Sequence, residues 1–215
     1  SPNGFVQIYD VNNYQSIAQF DFGLTEIIDI STTDSICFVA FLDNQDWGLM
    51  EFIFSNNEWI YRDTYRNWPI SFDLLNSIEI SDEKVFIGTN QGLLIGNWKD
   101  SNLKDPNNWN QFETELFGEV YLIDSDTNNI LLVYNNSIYV LNLSSEISLE
   151  IIWDYLDSSE KLIEIIKDAE GVLWGILDTK IIKLNSTGIE WNSSTDYDYS
   201  FTSLAGFSND QLYIG

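Results

Sequence analysis

Along its length the chain alternates short apolar runs with polar turns. The plainest case is VFIGTNQGLLIGNW, residues 85–98. The run Val85–Ile87 meets the turn Gly88-Thr89-Asn90-Gln91-Gly92, and a second run, Leu93–Ile95, leads to Trp98. Apolar runs this short, rich in β-branched residues and bounded by Gly and Asn, predict two strands of a hairpin rather than a helix. Upstream, Ser77–Ile80 and the polar stretch Ser81–Lys84 predict a further strand and turn.

The same unit recurs. Ile28-Asp29-Ile30 leads through Ser31–Asp34 to Ile36–Phe41, and Tyr121-Leu122-Ile123 leads through Asp124–Asn129 to Ile130–Tyr134. Glu164-Ile165-Ile166 leads through Lys167–Gly171 to Val172–Leu177, and Leu204–Phe207 leads through Ser208–Asp210 to Leu212–Gly215. The last apolar residues before the turns, Ile30, Ile80, Ile123, Ile166 and Phe207, are 50, 43, 43 and 41 residues apart. That is the period of four-stranded propeller blades. A second marker keeps step: Trp59 and Trp109 follow Ile30 and Ile80 by 29 residues each, Trp153 follows Ile123 by 30, and Trp191 follows Ile166 by 25. A large ring at one place on every sheet fills the wedge against its neighbour.

The last unit stops after two strands, and the chain begins with two more, Gly4–Val11 and Ile17–Phe22. The expectation is an all-β fold: a β-propeller of five four-stranded blades. The blades fall at about residues 24–66, 71–116, 119–157, 161–197, and 200–215 with 1–22. N- and C-terminal strands then share one blade, which removes the open edges of the ring. The alternative is a fragment of a larger six- to eight-bladed propeller. Turn chemistry agrees with strands. Asn56-Asn57, Asn128-Asn129, Asn135-Asn136, Gly92, Gly171 and Gly188 tolerate left-handed backbone, and Pro2, Pro69 and Pro106 all fall in expected loops. One segment has two readings. Ser158–Ile166 places Leu162, Ile163, Ile165 and Ile166 at a spacing that also suits a helical turn at Ser158–Lys161, whereas its isoleucines and the repeat register favour a strand.

Lys161–Leu177 (KLIEIIKDAEGVLWGIL) and Ser77–Leu94 (SIEISDEKVFIGTNQGLL) resemble the repeats of two-component-regulator-type propellers. Similar repeats occur in envelope propellers associated with type IX secretion. Gly88-Thr89-Asn90-Gln91-Gly92-Leu93 carries the resemblance in one unit, and Asp168-Ala169-Glu170-Gly171 with Trp174 in another. Other units depart from the pattern: Asp43–Gly48 stands in place of the tight turn, and Asn135-Asn136-Ser137 lacks glycine. The resemblance implies a bacterial sensing or interaction domain outside the cytoplasm (periplasmic, cell-surface or secreted), usually non-catalytic.

Composition narrows the function. The net charge is −25, from 34 acidic and nine basic residues among 215, and the basic residues form no stripe. Nucleic acid and anionic membrane surfaces are therefore poor partners. The acidity serves solubility, or else makes a face that collects cations or a basic partner. No apolar segment approaches the roughly 18 residues a membrane-spanning helix needs. There is no histidine, which removes Ser-His-Asp and Cys-His catalysis and most zinc and copper sites. The single cysteine, Cys37, lies in an apolar run and reads as a buried thiol.

Carboxylates are the remaining candidates for chemistry. Asp29, Glu79 and Glu164 sit on the expected innermost strands, Asp29 and Glu79 at equivalent places in the repeat register and Glu164 one residue earlier; paired acids there could carry glycoside hydrolysis, or else they are solvated groups rimming the axial channel. Asp124–Asn129 alternates oxygen donors as a calcium loop does, but lacks the central glycine and falls where every unit has a polar turn. The sequons at Asn135, Asn142, Asn185 and Asn192 are what an Asn- and Ser-rich chain produces by chance. Trp47 and Trp68 lie outside the periodic set, either stacking on sugars or packing loops under a blade. No catalytic, cofactor-binding or metal-binding residue is assigned. The functional expectation is a monomeric domain of a larger protein, acting as a non-catalytic scaffold that recognises a protein or carbohydrate partner through blade-connecting loops. A carbohydrate-active enzyme and a lectin-like module are the alternatives.

Overall fold

The computed structural model describes residues 4–10, 13–23, 25–112, 116–125, 128–135, 137–143, 148–153, 162–168, 172–177, 180–185, 188–193, 204–207 and 211–214. The fold is all-β and of the propeller type, built from four-stranded meanders, with one short 3-10 turn at Pro106–Asn108 among the described residues. It divides into two compact units, Ser1–Leu122 and Ile123–Gly215.

In the first unit, β1 (Phe5–Tyr9) and β2 (Ser16–Asp21) form a two-stranded antiparallel sheet. The next sheet runs β3 (Glu26–Thr32), β4 (Ile36–Asp43), β5 (Asp46–Ser55), β6 (Glu58–Tyr65) in chain order. It is followed by β7 (Leu75–Ser81), β8 (Lys84–Thr89), β9 (Gly92–Asn97) and β10 (Trp109–Gln111). A third sheet opens with β11 (Val120–Ser125) and continues in the second unit with β12 (Asn129–Tyr134), β13 (Ser137–Asn142) and β14 (Ser148–Trp153). The second unit also holds the sheet of β15 (Leu162–Lys167), β16 (Leu173–Leu177), β17 (Ile181–Asn185) and β18 (Gly188–Asn192), and the pair β19 (Leu204–Phe207) and β20 (Gln211–Ile214). The pairs β1-β2 and β19-β20 are each a two-stranded sheet.

The apolar pattern explains the stacking. Strand β4 reads ICFVAFLD without alternation because both of its faces are buried. Ile36, Phe38 and Ala40 face one core together with Leu49, Ile78, Ile87 and Leu94. Cys37, Val39 and Phe41 face another with Val6, Met50 and Phe52, closed by Phe20, Phe22 and Trp59. The sheet β3–β6 is thus sandwiched between β1-β2 and β7–β10. In the second unit Leu131, Ile138, Ile165, Leu177, Ile182 and Leu184 join the sheets β11–β14 and β15–β18 in the same way.

The periodic tryptophans all lie on fourth strands, in β6, β10, β14 and β18. Trp59 lies against Phe54 at 5.5 Å on the face of its sheet turned to β1-β2. Trp109 is buried on the face of its sheet turned to β3–β6. Its ring meets the edge of Trp68 at 5.2 Å, and its indole N–H donates to the Leu103 carbonyl at 2.9 Å. Both rings fill the outer wedge toward the preceding sheet.

Two sequence readings need correction. Asp43–Gly48 is not a loosened turn: Asp43 pairs with Asp46 across two residues, Asn44 and Gln45, both at positive φ (49° and 77°). Asn and Gln adopt there the backbone that glycine adopts elsewhere. The second correction concerns register on the innermost strands. β3, β7 and β15 each carry a β-bulge, and the first residue after it is Asp29, Ser77 and Glu164 respectively. Counted from the bulge, Asp29 corresponds to Ser77, not to Glu79. The turns that follow differ in length, so counting back from them slides the alignment. The helical turn considered for Ser158–Lys161 lies outside the described residues; β15 begins at Leu162.

Candidate functional site

The β8-β9 hairpin is the keystone of a cleft in the first unit. Thr89 and Gly92 pair across a two-residue turn, and Thr89 Oγ1 donates to the Gly92 carbonyl at 2.8 Å while accepting the Gln91 N–H at 3.0 Å. Gly92 has φ 118°, and a Cβ there would lie 2.6 Å from the Leu116 carbonyl oxygen. A Cβ on Gly88 would lie 2.5 Å from the Val120 carbonyl oxygen. The two glycines of the Gly-Thr-Asn-Gln-Gly stretch therefore let the connection 116–120 pass directly over the hairpin.

That passage sets Phe117 and Gly118 beside the turn. On the other side Asn90 ties down the connection from β6 to β7. Its Oδ1 accepts the N–H groups of Asp73 and Leu74 at 3.2 and 3.3 Å, and its own N–H donates to the Leu74 carbonyl at 3.0 Å. Gln111, at the end of β10, donates from Nε2 to the Gln91 carbonyl at 3.3 Å. Together Ile70, Ser71, Asn90, Gln91, Gln111, Phe117 and Gly118 line an open cleft of about 360 Å3. Phe117 is 67% exposed, an unusual position for a phenylalanine ring.

Trp47 and Trp68 brace this connection. The Trp47 indole N–H donates to the Asp73 carbonyl at 3.1 Å, and the Trp68 indole N–H donates to the Trp47 carbonyl at 3.2 Å. Trp68 also packs on Phe72 at 5.7 Å.

The inner-strand acids have structural partners. Asp29 Oδ2 accepts the N–H of Ile78 and Oδ1 that of Ile30, both at 2.8 Å. Ser31 Oγ accepts the N–H of Ile80 at 3.0 Å and donates to Glu79 Oε2 at 3.2 Å. Ser77 Oγ accepts the N–H of Leu122 at 2.7 Å, and the Asn76 amide donates to the Val120 carbonyl at 3.0 Å. Side chains of one innermost strand thus satisfy the open-edge N–H groups of the next, from β3 to β7 and from β7 to β11. Burial pushes the Asp29 carboxyl above the usual range, and its two backbone N–H partners offset that only in part. Glu164 lies on β15 in the second unit.

The other candidates are dispersed. Asp124, on β11, pairs with Lys167 at 3.5 Å, and Asp126 and Thr127 of the suggested calcium loop lie outside the described residues. No cluster of three metal-ligating side chains occurs among the described residues. Cys37 is buried, and burial pushes its thiol up to about 11. Of the sequon residues, Asn136, Ser144, Ser186, Thr187 and Ser194 lie outside the described residues, while Ser193 is buried and accepts the Ile181 N–H at 3.2 Å. Asp168, in the acidic-Gly turn, accepts the Val172 N–H at 2.8 Å and the Trp174 indole N–H at 2.9 Å, which ties that turn to its aromatic.

Sequence reading missed one group altogether. Glu51 on β5 is fully buried, paired with Arg62 at 2.8 Å and hydrogen-bonded by the Tyr65 hydroxyl. The available signal was a carboxylate two residues after the core residue Leu49, on the same face of a strand otherwise apolar there.

No protein-family model matches the sequence, and comparison with curated proteins finds no match. Solved structures do match in fold. The extracellular domain of a putative hybrid two-component system from B. thetaiotaomicron aligns with a TM-score of 0.63 and 12% identity, over 97% of this chain and 28% of that one. The WD40 β-propeller domain of Doa1 aligns with a TM-score of 0.55 and 13% identity, over 85% of this chain and 58% of that one. A putative 6-phosphogluconolactonase from Bacteroides uniformis aligns with a TM-score of 0.66 and 10% identity, over 98% of this chain and 70% of that one. At these identities the likeness establishes propeller-type repeats and the β-propeller fold.

Proposed function

We propose that the chain is a non-catalytic recognition scaffold that works outside the cytoplasm and engages a protein or glycan partner on its blade-connecting loops. One observation carries the reading: the connection from β6 to β7, pinned by Asn90 and Trp47, and the connection 116–120, which passes over the close-packed Gly92, meet the β8-β9 turn at a cleft that presents an exposed Phe117. A rigid sheet frame with an apolar ring held open to solvent suits binding. The fold likeness to an extracellular sensor domain supports the location, as does the resemblance of the repeats to two-component-regulator-type propellers. In this reading the chain has five blades, with residues 200–215 and 1–22 contributing two strands each to one of them. The inner acids of the first unit serve architecture, since Asp29 gives both oxygens to backbone N–H groups.

A photocrosslinking amino acid at position 117, in cells that make the protein, tests the reading. It should capture a discrete partner that the same group at the exposed Ile60, on β6, does not. Equal capture at both positions, or none at 117, overturns the role of the cleft. A membrane-impermeant amine label should reach the protein's lysines on intact cells; protection until lysis overturns the location.

A further inference from the structure

Resting on the recognition reading above, we infer that the cleft lined by Ser71, Asn90, Gln91, Gln111 and Phe117 binds a neutral saccharide. Its described lining holds three side-chain amides, one hydroxyl, the Phe117 ring, Ile70 and Gly118, and no charged group.

The chemistry discriminates among ligands. An anion would enter the field of a strongly acidic protein and find no Lys or Arg among the described lining residues. A cationic ligand would find no carboxylate among the described lining residues to replace its hydration. Primary amides carry a donor and an acceptor on one planar group, the same two functions that vicinal hydroxyls present. Asn90 commits its Oδ1 to the chain and keeps its Nδ2 donors for a ligand, and Gln111 commits Nε2 and keeps Oε1. The exposed Phe117 face offers an apolar platform for the C–H face of a pyranose, the same division into apolar body and polar edge that the ligand itself has. A volume of about 360 Å3 lies near the lower end of the roughly 300–1,000 Å3 typical of small-molecule sites. It suits one or two rings rather than a folded partner. The lining comes from turns, connections and the final residue of β10, not from a run of open strand edge such as an extended peptide would join.

The test is a titration of the isotope-labelled full chain followed by NMR. The probes are maltose, cellobiose, mannobiose, galactobiose and chitobiose, with oligogalacturonate and trilysine as charged controls. At least one neutral disaccharide should shift the side-chain amide resonances of Gln91 and Gln111 saturably, with Kd at or below about 10 mM. F117A should weaken that binding about tenfold, the loss expected for one ring contact, and Q91A severalfold. If F117A loses its folded spectrum, Q91A alone decides. The inference is overturned if no neutral disaccharide shifts these resonances, if the shifts survive both substitutions, or if a charged control binds the cleft better. Crosslinking at position 117 separates the two ideas: a captured protein partner without sugar binding leaves the recognition reading standing and removes the saccharide.

Discussion

Replacing Asp29 with alanine should destabilise the fold by about 2 kcal/mol, whereas Asp29→Asn should cost less than about 1 kcal/mol. Asp29 Oδ2 reaches across two sheets to the Ile78 N–H, and Oδ1 accepts from Ile30, each at 2.8 Å. Alanine removes both acceptors and leaves the Ile78 N–H on the open edge of β7 without one. An orphaned buried donor costs about 1–3 kcal/mol, offset in part because a charge is no longer held out of water. For a chain of this size each kcal/mol moves Tm by about 2–4 °C, so D29A should melt about 4–8 °C lower. Asparagine keeps an acceptor oxygen and drops the charge. The pH dependence follows from the same geometry. Burial raises the folded-state carboxyl above its ordinary value of 3.8, so the folded chain holds that proton more tightly than the unfolded one. The contribution of Asp29 is most favourable below the unfolded value and is lost as pH rises through the folded one. The stability of the native protein relative to D29N should therefore fall as pH rises through that window. Urea and thermal unfolding across pH 3–7 measure all of this. An unchanged midpoint for D29A, or a D29N as unstable as D29A, would refute the account of side chains lacing successive inner strands.

Gly92→Ala should cost more than about 2 kcal/mol, because backbone strain alone is about 1–3 kcal/mol and the new Cβ would sit 2.6 Å from the Leu116 carbonyl; urea unfolding checks it. Tyr65→Phe leaves the fully buried Glu51 without its hydroxyl donor and should cost about 1–3 kcal/mol by the same assay. Burial and the neighbouring Glu51 push the Tyr65 phenol well above its ordinary range, so alkaline titration at 295 nm on the folded protein should show no loss of amplitude below pH 11 when Tyr65 is removed. Cys37 should resist a thiol reagent at pH 8 until the chain unfolds, since the thiol is buried and pushed up to about 11; rapid labelling of the native protein would contradict its placement between β4 and the sheet β1-β2.

Much of the fold can be read from the chain because its determinants are local. Thr89-Asn90-Gln91-Gly92 closes a hairpin through its own turn chemistry. The run Ile36–Phe41 is apolar on both faces, which marks a strand covered from both sides. The four periodic tryptophans each land on a fourth strand, and the rings of Trp59 and Trp109 fill the wedge against the preceding sheet. The cleft was less legible. Blade-connecting loops were the expected recognition elements, yet Phe117 sits in a stretch with no periodic signal, and its partners come from connections more than 40 residues apart. Trp47 and Trp68, which stood out in the sequence, prove to be braces. Glu51 drew no notice because a single carboxylate in an apolar strand reads the same whether it is exposed or paired with Arg62 and Tyr65.

By itself the sequence determined the strand-and-turn period, the all-β class, the tight turns and the residue types excluded from catalysis, because periodicity, turn propensity and composition act over a few neighbouring residues. Only the tertiary structure decided that Asp29 corresponds to Ser77, that inner-strand side chains cap the edges of the following sheet, and that an amide-lined cleft forms beside Phe117. These depend on where bulges fall and on which carbonyl passes over which glycine. Such distances arise between segments remote in the chain, and no local pattern encodes them.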